Sequence, residues 1–148
     1  MALFRAGVER AAPLLIQITA GEKQVEILGW WAYTEGISGP FSRPLLTRPS
    51  RPGVSTLDED VIEALDSPGV IATAEVLTRF TFPPSLPSPD YSRTSFPFPL
   101  LFETRWEMGG GVIVPPGECV LLYAQAAKPL RNEVSGVEWT GQIEWREL

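Results

Sequence analysis

The sequence predicts an all-β fold, a jelly-roll-like β-sandwich or barrel, from three observations. Apolar residues recur with period two along most segments, the pattern of half-buried strands. The connections are rich in the chain's 15 prolines and 13 glycines, which cut it into short strands and long loops. Helix signals gather in one segment only. The 148 residues suit one domain with one sizeable core. The expected organisation is an N-terminal arm over residues 1–13 and a single sandwich domain over 14–148, with no internal repeat and about seven or eight strands.

The arm, "FRAGVERAA", has the length of one or two helical turns and is too short to be stable alone. It reads either as a frayed terminus or as an arm that orders on a neighbouring subunit. "LLIQIT" follows as a strand with Leu14, Ile16 and Ile18 on one face. In "QVEILGWWAY", strict alternation puts Val25, Ile27, Trp31 and Tyr33 together and leaves Trp30 on the opposite face. A loop leads to the short apolar piece "PLLT" and the turn "RPSRPGVS". In "STLDEDVIEALDSPG", Thr56 and Glu59 have capping-box spacing, so residues 56–67 read as a short helix or an irregular loop.

"VIATAEVLTRF" returns to strand, with Val70, Ala72, Ala74, Val76 and Phe80 on one face. Prolines exclude residues 81–99 from any central strand. Phe82, Tyr91, Phe96 and Phe98 make that stretch too apolar for a plain flexible linker, so it reads as a long ordered loop wrapping over something. "LLFETRWE" alternates strictly, "MGGG" reads as a turn, and "VIVPPGE" as a short strand ending in a Pro-Pro-Gly turn. "CVLLYAQAA" is apolar on both faces, with Val120 and Leu122 facing away from Cys119, Leu121 and Tyr123. One face is then expected to be covered by a neighbouring subunit or by the Pro-rich loop. The last strand, "VEWTGQIEWREL", places Val137, Trp139, Ile143 and Trp145 on one face.

Composition narrows the function. The chain has one cysteine and no histidine, which rules out an internal disulfide, His-based catalytic pairs and any usual zinc site. No cofactor or metal is expected, and no enzymatic activity. The net charge is −6 with dispersed basic residues, the wrong balance for nucleic acid. No stretch reaches the ~18–20 apolar residues of a membrane span, and the N-terminus does not read as a signal peptide. Arginine far outnumbers lysine (ten to two), which with the many prolines hints at a GC-rich or thermophilic source.

Candidates for chemistry are few. Cys119 has no histidine partner and an adjacent Glu118, and reads as a small buried hydrophobe. Glu103 with Glu107, or Glu138 with Glu144, have the pattern of a carboxylate pair flanking a groove, but alternating charge on a solvated strand face gives the same pattern. Asp58-Glu59-Asp60 lacks the spaced oxygen ligands of a calcium loop. "MGGG" lacks the helix and lysine of a phosphate loop. Of the five tryptophans, Trp31, Trp106, Trp139 and Trp145 fall on core faces and Trp30 is the one expected to be exposed.

The segments "QVEILGWWAYTEG", "RPLLTRPSRPG" and "GVIVPPGECVLLYAQA…GVEWTGQIEWREL" resemble small structural proteins of tailed bacteriophages, most closely head decoration (auxiliary capsid) proteins. The hallmark is a "PPGE" or "PGG" turn before a strand, then a final strand ending in Trp-Glu or a variant. Here Arg146 separates Trp145 from Glu147. The resemblance covers residues 14–55 and 99–148; residues 56–67 and 81–99 are particular to this chain.

The resemblance implies a homotrimer on the outer capsid surface of the virion, made in the host cytoplasm, with the major capsid protein as partner and neither nucleic acid nor membrane involved. No catalytic residue travels with it. The contacts expected under this reading are Leu3, Phe4 and Val8 of the arm, Phe82, Phe96 and Phe98 of the Pro-rich loop, Val120 and Leu122 of the two-faced strand, and Trp30. The alternative is a carbohydrate-binding β-sandwich module of a tail fibre or secreted enzyme, which needs exposed coplanar rings, Trp30 first among them. A carboxylate-only enzyme is a remote third.

Overall fold

A computed structural model of the chain describes residues 2–11, 13–35, 44–55, 62–85, 101–124 and 138–148, the side chains of 34, 35, 45 and 101–111 excepted. Among the described residues there are nine strands and no helix, so none long and apolar enough to cross a membrane. They are β1 (Ala2–Ala11), β2 (Leu14–Thr19), β3 (Val25–Glu35), β4 (Leu45–Thr47), β5 (Ile62–Ala64), β6 (Glu75–Leu77), β7 (Leu101–Val114), β8 (Cys119–Ala124) and β9 (Glu138–Glu147). They form two antiparallel sheets with one core between them. Sheet A runs β5-β1-β9-β3-β7 and sheet B runs β4-β8-β2-β6. The fold is a β-sandwich, as its period-two patterning predicts.

The last strand explains itself from sequence. Along β9, Trp139, Ile143 and Trp145 are fully buried, while Thr140, Gln142, Glu144 and Arg146 face outward. The same alternation puts Gly141 on the inner face, where Leu14 of the opposite sheet comes so close that a Cβ would sit 2.7 Å from its Cδ2.

Residues 2–11 differ from expectation. They are neither an arm nor helical turns; they form β1, paired with β9 on one side and β5 on the other. Alternation decides it: Phe4 and Ala6 point into the core, and Phe4 stacks on Trp145 at 5.7 Å. A ten-residue strand buried in this way is held by pairing and packing that a helix of the same length lacks. Within residues 56–67, the described Ile62–Ala64 forms the edge strand β5 on β1 rather than part of a helix; residues 56–61 lie outside the described residues. Val70 and Ile71, expected in a strand, are exposed ahead of β6.

β3 carries the most consequential difference. Ile27 faces Trp145 of β9, but the next pair is Gly29 with Glu144, so Leu28 is an extra residue in a β-bulge. The bulge reverses the alternation beyond it. Val25, Ile27, Trp30 and Ala32 are therefore the core residues, and Trp31 and Tyr33 go to the outer face. Residues 108–111, expected as a turn, stay within β7 and lie opposite this same irregularity.

Sheet B explains the strand that is apolar on both faces. All six residues of β8 are buried. Val120, Leu122 and Ala124 face the sandwich core with Leu14, Ile16 and Ile18. Val120 and Leu122 are thus core residues of a single chain, not subunit contacts. The other face, with Leu121 opposite Gln17, is covered from within the chain. The fully buried Gln17 amide donates to Gly53 O (3.1 Å) and its Oε1 accepts from Gly53 N (2.7 Å). That pair of bonds mimics a strand ladder and ties a strap of residues 51–55 across the sheet.

The strap is a small ribbon. Val54 pairs with Phe82 in a backbone bridge, and Ser85 N donates to Arg51 O at 2.9 Å. Gly53 has to be glycine here, since a Cβ would meet the Phe80 ring at 2.2 Å and Pro84 at 2.9 Å. The first residues of the Pro-rich stretch, 81–85, thus pair with residues 51–54; residues 86–99 lie outside the described residues.

The Pro-Pro-Gly-Glu turn has the geometry its sequence requires. Glu118 N donates to Pro115 O, with Pro116 at the second turn position and Gly117 at φ +82° in the third. At the far end of β9, the buried Glu147 carboxylate accepts from Thr73 N (2.8 Å), Thr73 Oγ1 (3.0 Å) and Ala74 N (2.9 Å). These bonds offset the cost of burying its charge and hold the chain entering β6.

Candidate functional site

The outer face of sheet A collects the side chains that the core rejects. Trp31 and Tyr33, two apart beyond the β3 bulge, stack with centroids 5.6 Å apart and planes 8° from parallel. Across the sheet Trp31 lies opposite Gln142, and Tyr33 opposite Thr140. Arg5 of β1 lies opposite Glu63 of β5 and donates to its carboxylate at 2.8 Å. That bond, opposed by partial desolvation, raises the already high Arg5 pKa.

β1 is also bulged on this face. Val8 pairs with Gly141 and Ala11 with Trp139, so Glu9 and Arg10 together face the single residue Thr140. Arg10 sits at φ +54°, a left-handed conformation that costs a non-glycine residue about 1–2 kcal/mol. The bulge sends Glu9 and Arg10 to two different hollows.

The larger hollow, of about 820 Å³, is floored by β1 and β9 and walled by Trp31, the Arg5–Glu63 pair and Gln142; Arg79, just beyond β6, reaches it. The smaller, of about 400 Å³, is lined by Arg10, Tyr33, Glu138 and Thr140. Thr140 lines both. The aromatic stack thus contributes one ring to each. The sizes are those of small-ligand sites.

The residues expected to make contacts do not converge on one place. Phe4 is fully buried, and Val8 packs against the core at the rim of the larger hollow. Leu3 is held by its own chain: its N donates to Asp66 Oδ1 and its O accepts from Leu65 N. Trp30 is buried, 7% exposed, so the ring expected to be free is a core residue and its neighbour Trp31 takes the outer position. Phe82, in contrast, is 68% exposed on the strap. Phe96 and Phe98 lie outside the described residues.

Sequence reasoning missed Trp31, Tyr33 and the β1 bulge. An isolated glycine inside a strand pattern is a bulge signal; Gly29 is such a glycine beside Leu28, and Gly7 is another two residues before Glu9.

The groups considered for chemistry are dispersed. Cys119 is buried in β8, and desolvation pushes its thiol pKa up, partly countered by Arg48. That is the direction of an inert packing residue. Glu138 and Glu144 share the outer face of sheet A, but Glu138 lines the smaller hollow and Glu144 stands opposite Arg5. Glu103 and Glu107 have undescribed side chains, and Asp58, Glu59 and Asp60 lie outside the described residues. Among the described residues no cluster of three metal-ligating side chains occurs. No family model, no curated protein and no solved structure matches the chain.

Proposed function

We propose that this chain is a structural protein of a tailed-phage virion, a head decoration protein that binds the outer surface of the mature shell as a homotrimer and stabilises it. The observation that carries the reading is the Val54–Phe82 pair. The two residues pair in a backbone bridge and are 52% and 68% exposed. They stand on a strap that Gln17 ties to sheet B, so an apolar anchor is presented on a preorganised mount. A second copy of the chain and the major capsid protein are its intended partners.

Two further features support the reading. Consecutive strands alternate between the sheets, and the first and last strands lie side by side within β1-β9-β3-β7, an order compatible with a jelly-roll body. The residues that carry the resemblance fall on β3, β4, the Pro-Pro-Gly-Glu turn, β8 and β9. The expected arm is unavailable for docking because β1 is built into sheet A, which leaves the strap as the docking element. Binding only the assembled lattice would stabilise it by mass action over many repeated contacts.

Light scattering on the purified protein tests the reading. The expected mass is three times 16.3 kDa, with Phe82→Asp reducing it to one chain at an unchanged melting temperature and abolishing retention on expanded capsids. A wild-type monomer that fails to bind such capsids would overturn the proposal.

A further inference from the structure

We infer that the outer face of sheet A is a binding site for a neutral oligosaccharide, independently of whether the chain decorates a capsid. Each of the two hollows pairs one ring of the Trp31–Tyr33 stack with hydrogen-bonding side chains of both kinds. Gln142 and Thr140 offer donors and acceptors, and the Arg5–Glu63 pair offers a guanidinium beside a carboxylate. A sugar ring matches this chemistry, with an apolar face to lay on an aromatic wall and a rim of hydroxyls that donate and accept.

The charges argue for a neutral ligand. Arg5 and Arg79 at the larger hollow are matched by Glu9 and Glu63, and Arg10 at the smaller one by Glu138. Such a balance gives no field to concentrate a phosphate or a polyanion. A purely apolar ligand would desolvate the Arg5–Glu63 pair without replacing its hydration.

Geometry adds two points. Thr140 lines both hollows, so they adjoin as neighbouring subsites for consecutive sugar units. The strained Arg10 and the two-for-one bulge at Glu9 and Arg10 supply one charged side chain to each hollow, and backbone outliers of this kind concentrate at ligand sites.

The test is titration of the full chain with soluble cello-, malto-, xylo- and manno-oligosaccharides, followed by tryptophan fluorescence and calorimetry. At least one series should bind saturably, with little dependence on added salt. Trp31→Ala and Gln142→Ala should each weaken binding roughly tenfold or more with melting and near-UV circular dichroism preserved, and Trp31→Phe should recover part of the loss. Phe82→Asp, which tests the capsid reading, should leave sugar binding unchanged. The inference is overturned if no neutral oligosaccharide binds. Binding equally strong in Trp31→Ala, or confined to sulfated glycans added as a control and lost with salt, overturns it as well.

Discussion

The outer faces of the two sheets solve the same problem in opposite ways. Both back onto one core. Sheet B has apolar outward positions at Leu121 and Tyr123, both buried within the chain, and beside them Gln17 holds a strap by its Gly53. Sheet A has polar outward positions threaded by cross-strand ion pairs, Arg5–Glu63 and Arg146–Glu26, and exposes a stacked aromatic pair beside two hollows. An antiparallel sheet tolerates water on one face when that face is polar and needs a cover when it is not. The covered face is structural; the solvated face is where a ligand has access.

The most drastic way to break this contrast is to remove β1. Deleting residues 2–11 strips Phe4 and Ala6 from the core and leaves β9 without a neighbour on that side. The expected outcome is loss of the cooperative melting transition and of the near-UV circular dichroism signal. A truncated chain that still melts cooperatively would restore the arm.

Next come matched truncations on the two faces. Leu121→Ala on the sealed face should cost about 2–5 kcal/mol in urea unfolding, the range for a buried leucine. Trp31→Ala on the solvated face should cost about 1 kcal/mol or less despite removing a larger side chain. Equal costs would mean that the two faces are equally buried in solution.

The strap tether is a smaller effect. Gln17→Ala leaves Gly53 N and O without their partners, which should cost about 1–3 kcal/mol and raise hydrogen exchange at Gly53 and Val54 ahead of global unfolding. Exchange that stays as slow as in the wild type would show that the strap does not depend on Gln17. The smallest effect belongs to the outer ladder. Arg146 donates to Glu26 at 2.7 Å, which raises the arginine's pKa further. The arginine end of this pair is half-exposed and open to solvent screening while Glu26 is buried, so Arg146→Gln should lower stability in urea unfolding by less than Gln17→Ala does, with the loss shrinking as salt is added.

Residue by residue, legibility followed how local the deciding interaction was. Trp139, Ile143 and Trp145 could be read as core because β9 runs without irregularity. The Pro-Pro-Gly-Glu turn was legible because its chemistry lies within four residues. β1 was obscured because Ala, Glu and Arg favour helices, and only its long-range pairing with β9 outweighs that preference. The candidate site was hidden by one extra residue at Leu28, which exchanged Trp30 for Trp31.

The sequence by itself determined the fold class, the inner face of β9, the packing role of Cys119 and the need to cover both faces of β8. Each follows from period, turn chemistry or the absence of histidine, all properties of short segments. Only the tertiary structure decided that Val120 and Leu122 face the core, that Leu121 is buried within the chain's own fold, and that Trp31 rather than Trp30 reaches the surface. Those outcomes depend on register between distant strands, where a one-residue slip turns every later side chain to the other face.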